Sequence, residues 1–428
     1  MTTAVRARLA RGIGANAFGQ ALSIAIQLAS LPLFLGRWDL PTYGIWLMLS
    51  ALPGYLSMAD AGMVTAAGNR MTMAVGRGDV AQARTVFHSA TVFVTGVCVA
   101  AGALLAAGLA WLPLPGLLQP PGAALAVGCL GAGVLVAFWG GLAHQLVRAT
   151  GRNAQGEMAT HLVRLAEWLG QLGGLFTFGS LLSTALGGLL MRVVGTAIAA
   201  RLARRGSGSI DWGFARADAA VLRGLWRPAA GFMLIPAANA LSLQGMTLLV
   251  GHLLGPAAVA VFNTYRTLAR VVVQATSAFS FALWPEFARA YGAEGARGVA
   301  PLYHRARRTG LWIAAVAVAA VGLGSPWLLA LWTHGKIEFL LAPMGAMLAY
   351  ATVASATHVP RVLLLSTSRH EGLVWAGIAS AVAGLLVASQ LTSWSGLLGA
   401  ALAMALADAL TGAAALRGAD RLLREPAA

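Results

Sequence analysis

Two arginines four residues apart, Arg266 and Arg270, lie in the stretch Asn263-Thr-Tyr-Arg-Thr-Leu-Ala-Arg270, and Gln274 and Ser277 follow at helical spacing. At about 100° per residue these side chains share one face of a helix. The surrounding residues are apolar, so a span over 257–283 carries both guanidinium groups near the bilayer midplane. Each costs on the order of 2.5–3.5 kcal/mol to place there. Like charges one turn apart also repel, and the same helix offers no acid before Glu286. A planar guanidinium matches phosphate and carboxylate in a bidentate fork. The chemistry to expect is capture of an anion in a water-filled cationic cavity.

Three further helices carry polar stripes. The first has Asn16, Gln20, Ser23, Gln27 and Ser30; the second has Tyr43, Trp46, Ser50, Ser57 and Asp60; the fifth has Thr160, Arg164, Glu167 and Gln171. Lipid does not accept such faces, so each must meet protein or water. Interhelical hydrogen bonding accounts for Asn, Gln and Ser at about 0.6 kcal/mol per bond. Lining of a polar path is the second reading. Asp60, in Asp-Ala-Gly62, has three: pairing with the arginines, holding a proton or cation, or capping a local break. Glu167 stands one turn from Arg164, which suggests an intrahelical pair, and Arg164 is close enough to its helix end to snorkel. Arg192 and Asp408 are also embedded, on faces the pattern does not resolve. Arg361 is expected to snorkel at an inner end.

The elements that must position these groups follow from composition. Of 428 residues, 58% are hydrophobic and only 10% charged, with mean hydropathy +0.74. A soluble domain carries about 25% charged residues. Apolar runs long enough to cross a bilayer recur throughout. Twelve spans are predicted: 12–36, 42–67, 85–112, 122–147, 160–180, 182–202, 228–251, 257–283, 309–330, 341–365, 372–391 and 396–416. The fold class is therefore an all-α membrane protein.

The net charge is +16, and 23 of the 30 basic residues fall in connections of one parity, against only Arg37 and Lys336 in the other. The positive-inside rule then puts both termini in the cytoplasm. The basic balance reports topology, so no nucleic-acid partner is expected. The N-terminal run is too long for a signal-peptide core and reads as a retained first helix. Cys98 and Cys129 fall inside apolar spans without metal-ligand spacing. Phosphate-loop, zinc-protease and nucleophile-elbow motifs are all missing from the sequence. No catalytic residue, metal site or resident cofactor is expected; coupling to H+ or Na+ stays open.

The longest inward connection, about 203–227, contains Gly206-Ser-Gly-Ser209 and an amphipathic stretch from Phe214 to Trp226. It divides the chain into an N-terminal six-helix lobe (1–205), a cytoplasmic linker (206–227) and a C-terminal six-helix lobe (228–428). The lobes share landmarks: Gly36 to Pro41 against Gly251 to Pro256, and Val86-Phe-His88 against Leu302-Tyr-His304. Six helices return the chain to its starting side. A parallel repeat, with a substrate path between the lobes, follows from that parity.

The stretch Tyr43-Gly-Ile-Trp-Leu-Met-Leu-Ser-Ala-Leu-Pro-Gly-Tyr-Leu-Ser-Met-Ala-Asp-Ala-Gly62, with Thr65-Ala-Ala-Gly-Asn69 after it, resembles polysaccharide flippases of the multidrug/oligosaccharidyl-lipid/polysaccharide exporter (MOP) superfamily. Val261 to Arg270 and Leu283 to Gly292 share the resemblance. It implies two six-helix lobes around a central cavity. It also implies alternating-access transport of an undecaprenyl-diphosphate-linked oligosaccharide, as in O-antigen and lipopolysaccharide assembly, across the bacterial inner membrane. Relatives that flip the peptidoglycan precursor carry two further C-terminal helices, so ending after twelve argues for another glycan.

On this reading Arg266 and Arg270 bind the diphosphate. Asn263, Gln274, Asn16, Gln20, Gln27, Asp60, Arg164 and Glu167 complete the substrate-binding set. The partners would be the lipid-linked glycan, membrane lipid, and a glycan polymerase or glycosyltransferases. Two alternatives remain: a cation-coupled drug antiporter of the same superfamily, which would favour buried carboxylates, and a non-transporting scaffold of a glycan assembly complex.

Overall fold

Backbone amides have no water to bond inside a bilayer, so an apolar chain must satisfy them within helices. The computed structural model describes residues 3–111, 120–206, 210–367, 369 and 371–424. Among them all regular structure is helical, and each of the twelve predicted spans falls on helix. The elements are α1 (Thr3–Leu35), α2 (Leu40–Leu56), α3 (Met63–Gly76), α4 (Val80–Trp111), α5 (Ala123–Ala149), α6 (Asn153–Phe178) and α7 (Leu181–Gly206). They continue with α8 (Ala219–Leu254), α9 (Pro256–Ala282), α10 (Trp284–Thr333), α11 (Leu341–Ala356), α12 (His358–Ser366), α13 (Glu371–Ser395) and α14 (Leu397–Arg424). Helix α10 is kinked at Gly295, whose φ of 63° and ψ of −144° are open to glycine.

Nine stretches among the described residues are long and apolar enough to cross a membrane, which makes this a multi-pass membrane protein. The predicted spans outside those nine are the second, on α2 and α3, the fifth, on α6, and the eighth, on α9. The second falls outside because its two helices, of 17 and 14 residues, are each too short, and the other two because their polar stripes lower the mean hydropathy.

Two predicted spans are broken. The second divides into α2 and α3 across turns at 57–62, where Ala61 (φ 48°) and Gly62 (φ 73°) are left-handed. The tenth divides into α11 and α12 at Thr357. In an unbroken helix the Pro360 ring would meet the Ala356 carbonyl, and no N–H would bond it. Restarting at His358 puts Pro360 in a first turn, where the missing donor costs nothing.

The chain forms two compact units, residues 1–38 with 49–236, and residues 39–48 with 237–428. In the first unit α6 packs against α1 and α7, and α5 against α7 and α3. Its core joins Met71, Phe87, Leu142 and Leu146 to Ile210 and Leu225. Residues 210–227, expected within a linker, are thus part of this unit, while Ser207 to Ser209 lie outside the described residues, as do Pro113 and Pro115. His88 explains the attachment: its Nε2 lies 3.1 Å from the Asp211 carbonyl, and its Nδ1 accepts the Arg216 N–H at 3.1 Å. Arg84 pairs with Asp211 at 2.7 Å, and Trp212 stacks edge-on against Phe87.

In the second unit α14 packs on α11, α12 and α13, and α9 on α10, α11 and α12. Its core gathers Phe287, Tyr303, Val359, Leu363, Ala415 and Ala419. Phe87 and Tyr303, paired by the repeat landmarks, are each fully buried in their own unit. Asp39 caps α2 by accepting the Thr42 N–H at 2.9 Å. Hydrogen bonding to the Thr42 side chain, then to its backbone, holds the Asp39 carboxyl below the usual carboxylate range.

Candidate functional site

Among the described residues, several of the charged groups on apolar helices line two cavities, one in each unit. That of the second unit has a volume of ≈ 280 Å³, and Arg270, Tyr350, His358, Arg361 and Asp408 supply its ionisable lining. Helix α9 brings Arg270, α11 Tyr350, α12 His358 and Arg361, and α14 Asp408. Arg361 Nη2 donates to Asp408 Oδ1 at 3.0 Å. Among the described residues Arg270 has no hydrogen bond or ion pair.

Arg361 therefore does not snorkel as expected. The acid that holds it stands 47 residues away on another helix, where spacing along one helix gives no hint of it. Of this cavity's ionisable groups only Arg270 was predicted as a site residue. The available signals were His358 and Arg361 at i and i+3, and the embedded Asp408.

Arg266 does not line this cavity. It is 9% exposed and turns back onto α8. Nη1 donates to the Leu243 carbonyl and Nη2 to Thr247 Oγ1, each at 2.9 Å, and Nη2 also bonds Asn263 Oδ1. Its guanidinium lies 5.4 Å from the centroid of the Phe262 ring. The two arginines predicted to share one task are thus divided: Arg266 ties α9 to α8, and Arg270 faces open space. Asn263 also donates to the Val259 carbonyl, and the Gln274 carbonyl accepts from Ser277, both at 3.0 Å.

The cavity of the first unit, ≈ 560 Å³, lies among α5, α6 and α7, with His144, Arg152, Arg164, Glu167 and Arg192 in its lining. Glu167 pairs with Arg192 of α7, which also donates to the Gly133 carbonyl at 3.1 Å. Arg164, expected to pair with Glu167, instead donates to Ser23 at 2.9 Å. Residues 164 and 167 share a helix side, yet the two side chains reach different neighbours: α7 supplies a full counter-charge and α1 a hydroxyl.

The α1 stripe is partly consumed in this way, since Ser30 likewise accepts from Trp168 at 2.9 Å. Gln20 is exposed and Gln27 partly buried; Asn16 lies in α1, and its side chain is outside the described residues. In the break between α2 and α3, Asp60 Oδ1 accepts the Gly62 N–H at 3.1 Å, the local contact that the capping reading requires. Among the described residues no cluster of three or more His, Cys, Asp or Glu is placed to hold a metal ion.

No family model and no curated protein matches the chain. Solved structures do. An inward-facing multidrug resistance MATE family transporter of the MOP superfamily is similar with TM-score 0.78 at 15% identity, over 94% of each chain. Its outward-facing counterpart gives 0.68 at 15% identity, over 97% of this chain and 95% of that one. A MOP superfamily transporter from Pyrococcus furiosus, whose reverse binding-pocket polarity suggests a different function, gives 0.66 at 14% identity, over 98% and 96%. The fold of this chain is that of MOP superfamily transporters.

Proposed function

We propose that this protein is a flippase that moves an undecaprenyl-diphosphate-linked oligosaccharide across the bacterial inner membrane by alternating access, with both termini in the cytoplasm. The observation that carries the proposal is Arg270, a guanidinium without a counter-ion among the described residues, lining a cavity in the second unit. A diphosphate crossing hydrocarbon needs such a countercharge, and arginine's planar fork suits it. The full-length similarity to MOP transporters supports the transport class. Glycosyltransferases and a glycan polymerase are the proposed partners.

The second reading, a drug antiporter, is favoured by the multidrug transporters among the similar structures. It needs a buried carboxylate free to meet a cation. Glu167 and Asp408 are both engaged by arginine, which weighs against it and leaves Asp60, bonded to the Gly62 N–H, as the carboxylate that this reading would have to use.

The test separates the two arginines. Cells carrying Arg270→Gln at normal protein level should accumulate lipid-linked glycan on the cytoplasmic leaflet, and Arg270→Lys should restore export in part. Arg266→Gln should act mainly on stability, because it strips donors from Leu243 and Thr247. Normal export by well-expressed Arg270→Gln protein would refute the anion site and favour the scaffold.

A further inference from the structure

The Arg361–Asp408 pair is only half made. One nitrogen meets one oxygen at 3.0 Å, where a guanidinium and a carboxylate can form two parallel bonds. Asp408 Oδ2 and Arg361 Nε are both buried and have no hydrogen-bond partner among the described residues. Both side chains are about a fifth exposed, at 19% and 21%. Buried polar atoms are nearly always bonded, so this ion pair leaves one donor and one acceptor available to another partner.

The charge around it is unbalanced in the same sense. Arg270 and Arg361 against Asp408 give the cavity a net charge of +1 with His358 neutral. A diphosphate diester carries two negative charges. If Asp408 were neutral, the two arginines would match it.

We infer that Asp408 is a charge switch: it takes up a proton as the anion binds, releasing Arg361 to join Arg270 on the diphosphate. This rests on the flippase reading and names the coupling that reading leaves open. An O–H bond forms at Asp408 Oδ2 with a proton given up by the buffer acid, which is left as its conjugate base, and the contact between Arg361 Nη2 and Oδ1 is exchanged for one between Arg361 and a phosphate oxygen. No electrons move. The other ionisable groups facing Asp408 across the cavity are Arg270 from α9, Tyr350 from α11, and His358 with Arg361 from α12. Among the described residues, helices α8 and α13 line the cavity with neutral polar groups, Asn239, Ser242 and Ser380. Of this lining, His358 is the group that competes for the proton.

The experiment uses the purified full-length protein and UDP-glucose, a water-soluble diphosphate diester that stays doubly ionised across the neutral range. Calorimetry in buffers of different ionisation enthalpy counts the protons taken up on binding. The wild type should take up about one per UDP-glucose, with affinity falling roughly tenfold per pH unit on the alkaline side. Asp408→Asn should bind at least as tightly, without uptake and without that pH dependence, and His358→Gln should keep both. Uptake retained in Asp408→Asn but lost in His358→Gln would overturn the assignment, as would wild-type binding without uptake. Binding without uptake that Arg270→Gln abolishes sinks the switch and spares the anion site; no wild-type binding sinks both. The wild-type count does not depend on any variant folding.

Discussion

At the scale of single residues, charge in the membrane is handled by partners on other helices. Glu167 and Arg192 are 25 residues apart in sequence, and Arg361 and Asp408 47 apart. This is why the site was only partly legible. A polar stripe shows which face of a helix is unfit for lipid, but not which neighbour that face meets. Arg266 and Arg270 looked equivalent by spacing; the α8 carbonyl that engages one of them could not be read from α9. Asp60 was more legible, because its contact with Gly62 is local. The pairing predicts a mutual dependence. Glu167→Gln leaves Arg192 without its counter-ion and should cost about 2–3 kcal/mol, somewhat less than for a fully buried pair. Pairing it with Arg192→Gln should recover much of that loss. Thermal unfolding of the detergent-solubilised protein would measure both. A double variant that melts no higher than Glu167→Gln would show that the pair is not a unit.

At the scale of the element, helix position was plain and helix contact was not. The twelve predicted spans fall on helices, nine of them on stretches long and apolar enough to cross a membrane among the described residues, yet the breaks at 57–62 and Thr357 interrupt two of them. Contact between α6 and α7 depends on residues with no side chain to signal it. A Cβ on Gly170 would come within 2.2 Å of the Gly187 carbonyl oxygen, and one on Gly174 within 2.0 Å of that of Ser183. These backbones touch, as small residues allow in membranes. Gly174→Val should therefore force α6 and α7 apart and reduce folded protein severely, by several kcal/mol in stability. Gly173→Ala, one position away with open space around it, should be nearly silent. Comparing the recovery of the two variants as monodisperse protein is decisive: equal recovery would mean that the close approach contributes nothing.

At the scale of the whole molecule, each unit encloses its own charged cavity, and the fold is that of MOP transporters along almost the full chain. Composition made the class legible, because bilayer physics leaves few choices for such a sequence. The membership of the units was not legible. The linker expected at 206–227 is largely bound to the first unit through His88 and Arg84, both far upstream.

The second unit recruits residues 39–48 from near the other end of the chain. Gly44 there meets the Pro256 backbone so closely that a Cβ would lie 1.7 Å from its carbonyl oxygen, and one on Gly251 would meet Met48. The gene therefore cannot be cut into two self-sufficient halves. A fragment from residue 210 onward, made alone, would lack its own ten-residue insert and should be degraded. Supplied together with a fragment ending at Gly206, it should accumulate and support export, since the missing piece then arrives in trans. Stable accumulation of the later fragment by itself would show the borrowed segment to be dispensable. Such interleaving also makes simple fusion of two independently evolved half-genes a poor route to this chain, because each half must already carry a seat for the other's sequence.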